Sequence, residues 1–149
     1  MSILTINNHK ITVNGHKIWI NQYGLETIAN PVNSNFTSWG SWLHPYDGWS
    51  IANNKIVIDA SASSSSWAAT QSGIVDGKTY KMTVEISDYV YGTLFCYIGG
   101  STGLITCNNN GTQSSIFQKQ ISDTYLYLQI GSNAFLNIKN ISIKEVLKY

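Results

Sequence analysis

Apolar and polar residues alternate along much of this chain, at the period of two that is typical of strands with one buried face. The clearest run follows an Asp76-Gly77 turn signal and places apolar side chains at Tyr80, Met82, Val84 and Ile86. A second run lies near the end of the sequence and places them at Ile141, Ile143 and Val146. These two runs predict long strands of a sheet that buries one of its faces.

Shorter runs of the same kind predict further strands over 51–59, 67–70, 90–98, 104–107, 115–118 and 125–130. Turn signals rich in Gly, Asn, Asp and Ser separate these runs, and no stretch shows the 3.6-residue period of a helix. Seven to nine short strands joined by turns predict an all-β fold, an antiparallel β-sandwich or jelly roll.

An internal repeat precedes this region, because residues 5–11 (TINNHKI) are followed at once by the similar residues 12–18 (TVNGHKI). Asn-Asn and Asn-Gly favour the positive φ angles of tight hairpin turns. The repeat therefore predicts a three-stranded meander. We divide the chain accordingly into an N-terminal meander over residues 1–25 and a jelly-roll domain over residues 26–149.

A meander of about twenty residues is not stable alone in water, so it needs a surface to pack on. One interpretation makes it an attachment or oligomerisation arm, and the alternative makes it a cover for one end of its own sandwich. The candidate attachment residues are its apolar side chains, namely Ile6, Ile11, Val13, Ile18, Trp19 and Ile20.

Composition narrows the range of partners. The chain has 149 residues, of which 11% are charged, and its net charge is +1. This balance provides no basic field for nucleic acid or for an anionic membrane. The N-terminus lacks the basic and apolar regions of an export signal, so we expect synthesis and folding in a cytoplasm.

The two cysteines flank a glycine-rich turn at residues 99–103. A hairpin centred on that turn would place Cys96 opposite Cys107, on the same face as Leu94. Cytoplasmic folding favours two reduced cysteines that pack as small apolar residues in the core. The three histidines have no metal-ligand spacing, so we expect no metal site.

Aromatic residues provide the candidate chemistry. A pyranose stacks its apolar C–H face on aromatic rings while neighbouring polar groups bind its hydroxyls. One loop-rich stretch has this composition and makes a candidate glycan site of Trp39, Trp42, Tyr46, Asp47 and Trp49. The alternative is a small core that closes one end of the sandwich, or an interface. A second candidate surface consists of Tyr89, Tyr91 and Tyr97.

Catalysis has little support in the sequence. Glycoside hydrolysis needs two carboxylates in one cleft, and the eight acidic residues here are scattered along the chain. No serine, histidine and aspartate fall in a recognisable nucleophile context. We therefore expect a protein that is not an enzyme.

Three segments resemble known proteins. The segments are Asn35-Phe36 with Gly48-Trp49, then Gly77-Lys78-Thr79-Tyr80, and finally residues 138–146 (IKNISIKEV). They look like jelly-roll domains of the carbohydrate-binding-module type. The Gly-Lys-Thr-Tyr strand and the Ile-Ser-Ile-Lys-Glu-Val ending also resemble small jelly-roll structural proteins of tailed-bacteriophage virions. The resemblance covers roughly residues 26–146 and implies a β-sandwich fold and a virion setting.

One departure from the resemblance concerns calcium. The related binding modules often hold a structural calcium ion with acidic residues at positions that match Thr37 and Lys139 of this sequence. Calcium binds several oxygen ligands, which usually include carboxylates, and a lysine opposes it. We therefore expect no calcium at that position, and no other cofactor.

These observations lead to two functional hypotheses. The first is a non-enzymatic structural protein of a phage particle, made in the host cytoplasm. Its partners would be other capsid or tail proteins, further copies of itself and a cell-surface glycan. The alternative is a carbohydrate-binding module that uses the loop aromatics to bind a host or environmental polysaccharide.

Overall fold

The computed structural model confirms the all-β prediction, since every regular element in the described part of the chain is a strand. It describes residues 4–7, 10–13, 16–19, 23–26, 36, 38–39, 42–43, 48–60, 66–100, 102–120 and 123–146. Within these ranges, no helix is long and apolar enough to cross a membrane.

The larger of the two main sheets is built around two 13-residue strands, β8 (Thr79–Tyr91) and β13 (Ala134–Val146). Its order is β11-β8-β13-β6-β5, and all of its described pairings are antiparallel. The outer strands are β11 (Gly111–Gln118), β6 (Lys55–Ala60) and β5 (Trp49–Ala52). A further strand, β4 (Tyr23–Glu26), pairs with the end of β13.

The smaller main sheet has four antiparallel strands in the order β10-β9-β12-β7. These are β7 (Ser66–Gln71), β9 (Leu94–Ile98), β10 (Thr102–Cys107) and β12 (Tyr125–Ile130). Strands β7 and β12 are neighbours although more than fifty residues separate them, so the chain crosses between the two sheets. The result is an antiparallel β-sandwich with jelly-roll connectivity.

Alternating burial joins the two sheets into one core. Tyr80, Met82, Val84 and Ile86, the run that predicted the first long strand, are all at most 2% exposed. The inward residues of the smaller sheet face them from Leu94, Cys96 and Ile98 of β9 and from Leu126, Leu128 and Ile130 of β12. Burial of these apolar side chains is the main stabilising contribution to the fold.

The alternation changes phase once in β13. Residues 134, 136 and 138 are buried, and then residues 141 and 143, because the register against β8 shifts between Ile138 and Asn140. The extra residue is Lys139, whose Nζ lies 2.7 Å from Glu85 Oε1 at the surface. This β-bulge lets one long strand keep an apolar inner face on both sides of the irregularity.

A second irregularity in the same pair lies in β8. Asn137 is opposite Ser87 while Phe135 is opposite Tyr91, so β8 has extra residues here, and Asp88 adopts a φ of 54°. Lys55 and Asn137 each donate a hydrogen bond of 2.8 Å to the Asp88 carboxylate. The carboxylate thus connects three strands of the larger sheet at the bulge.

Two expectations about hairpins need correction. Residues 51–59 are not one strand: Asn53 and Asn54 have φ of 52° and 57° and form the tight turn between β5 and β6. This Asn-Asn pair is the same turn signal that the N-terminal repeat contains.

The register of the cysteine hairpin also differs from the expectation. Cys107 is opposite Leu94, and Cys96 is opposite Ile105, because the ladder shifts between Thr102 and Ile105. The two cysteines are nevertheless both buried, on one face with Leu94, and they form no disulfide with each other, as expected. Burial, and then the neighbouring Cys107, raise the pKa of the Cys96 thiol, so it stays protonated at neutral pH.

The N-terminal repeat forms the expected meander, a three-stranded antiparallel sheet of β1 (Leu4–Asn7), β2 (Lys10–Val13) and β3 (His16–Trp19). Its register places Ile6, Ile11 and Ile18 opposite one another. Val13 and Trp19 lie in other rows, and Ile20 lies outside the described residues. The proposed boundary after residue 25 falls inside β4, and the division into an arm and a domain stays a prediction.

The Asp88 network predicts a pH dependence of stability. Hydrogen bonds from Lys55, then Asn137 and then Ser87, lower the pKa of Asp88 to about 2. A carboxyl group with a lowered pKa stabilises the folded state above its unfolded pKa of about 4, and this contribution is lost as pH falls towards 2. We expect Asp88→Asn to be less stable than the wild type at pH 6 and nearly as stable at pH 2.

Urea denaturation at several pH values measures this difference. Asparagine tolerates a positive φ, so the substitution removes the charge without straining the backbone. A stability difference that does not change between pH 6 and pH 2 would show that the Asp88 charge is not the cause.

Candidate functional site

Aromatic side chains cover the outer face of the smaller sheet. Because successive residues of a strand point to opposite faces, the buried positions of β7, β9 and β12 leave their neighbours pointing outwards. These outward neighbours are aromatic at five positions, Trp67, Phe95, Tyr97, Tyr125 and Tyr127, and all five are partly exposed. We call these five side chains the aromatic face.

Three of these rings come from three adjacent strands. Tyr97 on β9 is opposite Tyr127 on β12, and their ring centroids are 5.3 Å apart with an interplanar angle of 16°. Trp67 on β7 meets Tyr127 edge to face, at 6.1 Å and 63°. These are two of the favoured geometries of aromatic pairs, so the rings support one another in a row across the sheet.

Polar groups lie directly beside the rings. The Tyr97 hydroxyl donates a hydrogen bond of 2.7 Å to Gln129 Oε1, and Gln129 is flanked in register by Trp67 and Phe95. Gln129 therefore places an amide in the middle of the aromatic face. Amide groups of this kind can both donate to and accept from a ligand hydroxyl.

Asp123 provides a carboxylate at one end of the face. Its Oδ1 accepts a hydrogen bond of 2.9 Å from the Tyr125 backbone N–H, and its Oδ2 accepts one of 3.2 Å from the Tyr127 hydroxyl. The backbone bond fixes the carboxylate at the start of β12. The aromatic face thus contains three phenols, and an amide and a carboxylate lie beside its rings.

Two phenols of this face, those of Tyr97 and Tyr127, have raised pKa values. Desolvation, and then the negative charge of Asp123, raise the pKa of Tyr97. The same two causes, in the same order, and a hydrogen bond to Asp123 raise the pKa of Tyr127. Both hydroxyls therefore remain neutral hydrogen-bonding groups throughout the physiological pH range.

The loop tryptophans predicted to bind glycan are placed differently. Trp42 and Trp49 are only 7% and 8% exposed and belong to the hydrophobic core, and Trp39 is partly buried against it. Buried rings of this kind offer little surface for a sugar to stack on, which favours the alternative of a small core. Tyr46 and Asp47 lie outside the described residues.

The second predicted surface is divided between the two sheets. Tyr97 belongs to the aromatic face, whereas Tyr91 is at the end of β8 and its ring lies 6.5 Å from that of Phe135 in the larger sheet. The Tyr89 hydroxyl donates a hydrogen bond of 3.1 Å to the Gly92 carbonyl. Of these three tyrosines, only Tyr97 joins the row of rings described above.

The sequence analysis missed four of the five members of the aromatic face, Trp67, Phe95, Tyr125 and Tyr127, although a signal for them was present. Each alternates with residues that the structure buries, such as Ala68, Leu126 and Leu128. Aromatic residues at the polar phase of a strand are unusual on a solvated face and indicate a binding surface.

Lys139, at the position where we expect no calcium, forms an ion pair with Glu85, and the expected absence of calcium stays a prediction. Thr37 lies outside the described residues. Among the residues that the structure describes, no group of three or more histidine, cysteine, aspartate or glutamate side chains could hold a metal ion.

Comparison with known proteins identifies solved structures with a similar fold. No family model and no curated protein sequence matches this chain. A solved structure described as "CBM4 structure and function" superposes with a TM-score of 0.54 and 9% sequence identity, over 80% of this chain and 97% of the other. CBM denotes a carbohydrate-binding module. This chain has the fold of such modules.

A second solved structure supports the same conclusion. The second N-terminal cellulose-binding domain of the β-1,4-glucanase C of Cellulomonas fimi superposes with a TM-score of 0.55 and 14% identity. The superposition covers 83% of this chain and 97% of that domain. At these identities the likeness establishes the carbohydrate-binding-module fold alone.

The Asp123 contacts predict a change in tyrosine titration. Asp123→Asn removes the negative charge that helps to raise the pKa of Tyr97 and Tyr127 but leaves their desolvation. We therefore expect both phenols to ionise at lower pH than in the wild type, though still above the ordinary tyrosine value of about 10. NMR of ring-labelled tyrosine measures this shift, with Tyr91 as the internal control. Unchanged titration of Tyr97 and Tyr127 would contradict it.

Proposed function

We propose that this protein is a carbohydrate-binding module and that the aromatic face is its binding site. The observation that carries the proposal is the row of partly exposed rings from Trp67, Tyr127 and Tyr97, with Gln129 and Asp123 beside it. A monomeric domain rarely exposes such a continuous apolar surface without a partner for it.

The chemistry of the face suits a sugar chain. The apolar C–H face of a pyranose packs on aromatic rings, while the ring hydroxyls need donors and acceptors at the edge of the same surface. The face offers both within one sheet. The open surface also suits a section of a polymer chain rather than an enclosed small molecule, because the rings extend across three strands.

The comparisons support this function over the alternatives. Both solved structures are described by carbohydrate binding, and one of them is a cellulose-binding domain of a β-1,4-glucanase. We therefore choose a soluble β-1,4-glucan as the first ligand to test. Binding without catalysis fits the face as well, because glycoside hydrolysis uses a pair of carboxylates, and within the described ranges we find one, Asp123, in contact with these rings.

The phage-particle hypothesis receives no such support, since neither of these structures is described as a virion protein. A location in a virion and partners among capsid or tail proteins stay predictions from the sequence resemblance. A carbohydrate-binding module displayed on a larger assembly would still use the same face, and many copies would raise its avidity.

The proposal predicts the effect of removing single rings. We expect Trp67→Ala, Tyr97→Ala and Tyr127→Ala each to weaken binding of hydroxyethylcellulose or of cello-oligosaccharides about tenfold, which corresponds to roughly 1.4 kcal/mol. Affinity electrophoresis and isothermal titration calorimetry measure the change. The physical reason is the loss of ring area that packs on the sugar.

Tyr91→Ala is the matched control, because Tyr91 is 41% exposed and its ring contacts Phe135 on the larger sheet. We expect it to bind like the wild type. Melting curves identify any variant that has lost its fold. If the wild type binds no glucan in a broad neutral panel, or if Tyr91→Ala weakens binding as much as the ring variants do, the assignment to this face is wrong.

We also propose that the N-terminal meander is an assembly element. Its strands β1 to β3 pair with one another rather than with described strands of the sandwich, and an isolated sheet this small needs a further surface to be stable in water. A second copy of the chain would provide the missing surface, and its contacts would include the row of Ile6, Ile11 and Ile18.

Deletion of residues 1–20 tests this role and preserves β4, which pairs with β13. We expect the full chain to be a discrete oligomer and the shortened chain to be a folded monomer, because the deletion removes the assembling sheet. Light scattering coupled to size exclusion measures both masses. Equal masses per chain for the two proteins would contradict the proposal.

A further inference from the structure

The outer face of the larger sheet contains an unusual pair of like charges. Lys81 on β8 and Lys144 on β13 are direct cross-strand partners. Equal charges opposite each other in an antiparallel pair destabilise the sheet, because the two side chains leave the same face at neighbouring positions. The pair therefore concentrates positive charge at one place on this face.

These two lysines border a shallow groove of about 260 Å³. The other residues that line it are Thr83, Ser142 and Asn140, and Thr83 and Ser142 are cross-strand partners in the neighbouring region of the same ladder. The groove therefore places hydroxyl and amide groups next to two ammonium groups. Its volume lies below the range of roughly 300–1,000 Å³ for drug-sized ligands, so it suits one charged sugar unit.

Two other lysines form ion pairs with carboxylates near this groove. Glu85 Oε1 lies 2.7 Å from Lys139 Nζ, and Glu145 Oε2 lies 2.8 Å from Lys78 Nζ. Lys144 also has Glu26 of β4 as a register partner on its other side. Lys81, Lys144, Asn140 and Ser142 each also interact with other groups of the protein. An anion would therefore bind to a polar surface that is already ordered.

We propose that this groove binds the carboxylate or sulfate group of an acidic polysaccharide. The two ammonium groups attract the anion, while Thr83, Ser142 and Asn140 bind hydroxyls of the same sugar unit. A nucleic acid fits less well, because it needs a broader basic surface than two lysines in a chain of net charge +1. The groove and the aromatic face lie on opposite sheets, so this site is additional to the proposed neutral-glycan site.

The test uses the full chain and three polymers in affinity gels at moderate salt. Polygalacturonate carries carboxylates, dextran sulfate carries sulfate esters, and unmodified dextran is the neutral control. We expect the wild type to be retarded by one or both of the acidic polymers and not by dextran. The two acidic arms distinguish the two sources of the anion.

Two double variants remove the same amount of charge at different places. Lys81→Gln with Lys144→Gln removes the two positive charges that line the groove. Lys55→Gln with Lys78→Gln removes two lysines that do not line it and that pair with Asp88 and Glu145. We expect the first to lose at least tenfold in affinity for the acidic polymer and the second to stay within about threefold of the wild type. Lys81→Arg with Lys144→Arg should retain binding.

The outcomes decide the proposal. Selective loss in the Lys81 and Lys144 double variant, with a melting temperature no lower than that of the wild type, supports it. Equal losses in both double variants would show general charge attraction and overturn it, as would a wild type that the acidic polymers do not retard. Trp67→Ala should leave acidic-polymer binding unchanged. The proposal for the groove can therefore fail independently of the proposal that the aromatic face binds neutral glycans.

Discussion

The pairing of β8 with β13 is the contact on which the rest of this structure depends. Each strand has 13 residues, and together they form the centre of the larger sheet. Alternation along both strands, interrupted at the two bulges, sends one set of side chains into the core and the other set to the surface. A one-residue slip would exchange the two sets, so the apolar core fixes the register and with it the composition of the outer face.

This constraint explains why the sandwich has two chemically different outer surfaces. The core takes the apolar phase of both sheets, and what remains outside depends on the residues at the other phase. On the smaller sheet that phase is aromatic, with Trp67, Tyr97 and Tyr127 in contact across three strands. On the larger sheet it is polar, with Lys81 opposite Lys144 and a groove between them. We propose a neutral sugar chain as the ligand of the first surface and an acidic one as the ligand of the second.

The fold class and the long strands could be predicted because they rest on local signals. The Asp76-Gly77 turn and the buried alternation from Tyr80 to Ile86 appear in the structure as the sequence pattern predicts. Register was less predictable. The cysteine hairpin contains an irregularity between Thr102 and Ile105, and a glycine-rich turn can close at several positions, so the assumed pairing was wrong by two residues.

The candidate site was harder to predict than the fold, because it depends on strand order. Trp67 and Tyr127 are 60 residues apart and become neighbours only when β12 pairs with β7. Clustering along the sequence pointed instead to the loop tryptophans, and Trp42 and Trp49 pack into the core. Alternation shows which residues of a strand point outwards, but it does not show which strands are adjacent.

The most direct test of the account is an NMR titration of the full chain with a cello-oligosaccharide, observed through backbone amides and aromatic side chains. We predict that chemical-shift changes concentrate on β7, β9 and β12, with the largest at Trp67, Tyr97, Tyr127 and Gln129. Changes confined to the larger sheet or to the loop tryptophans would contradict the account. So would a spectrum that stays unchanged at high concentrations of β-1,4-glucan and of the other neutral glycans tested.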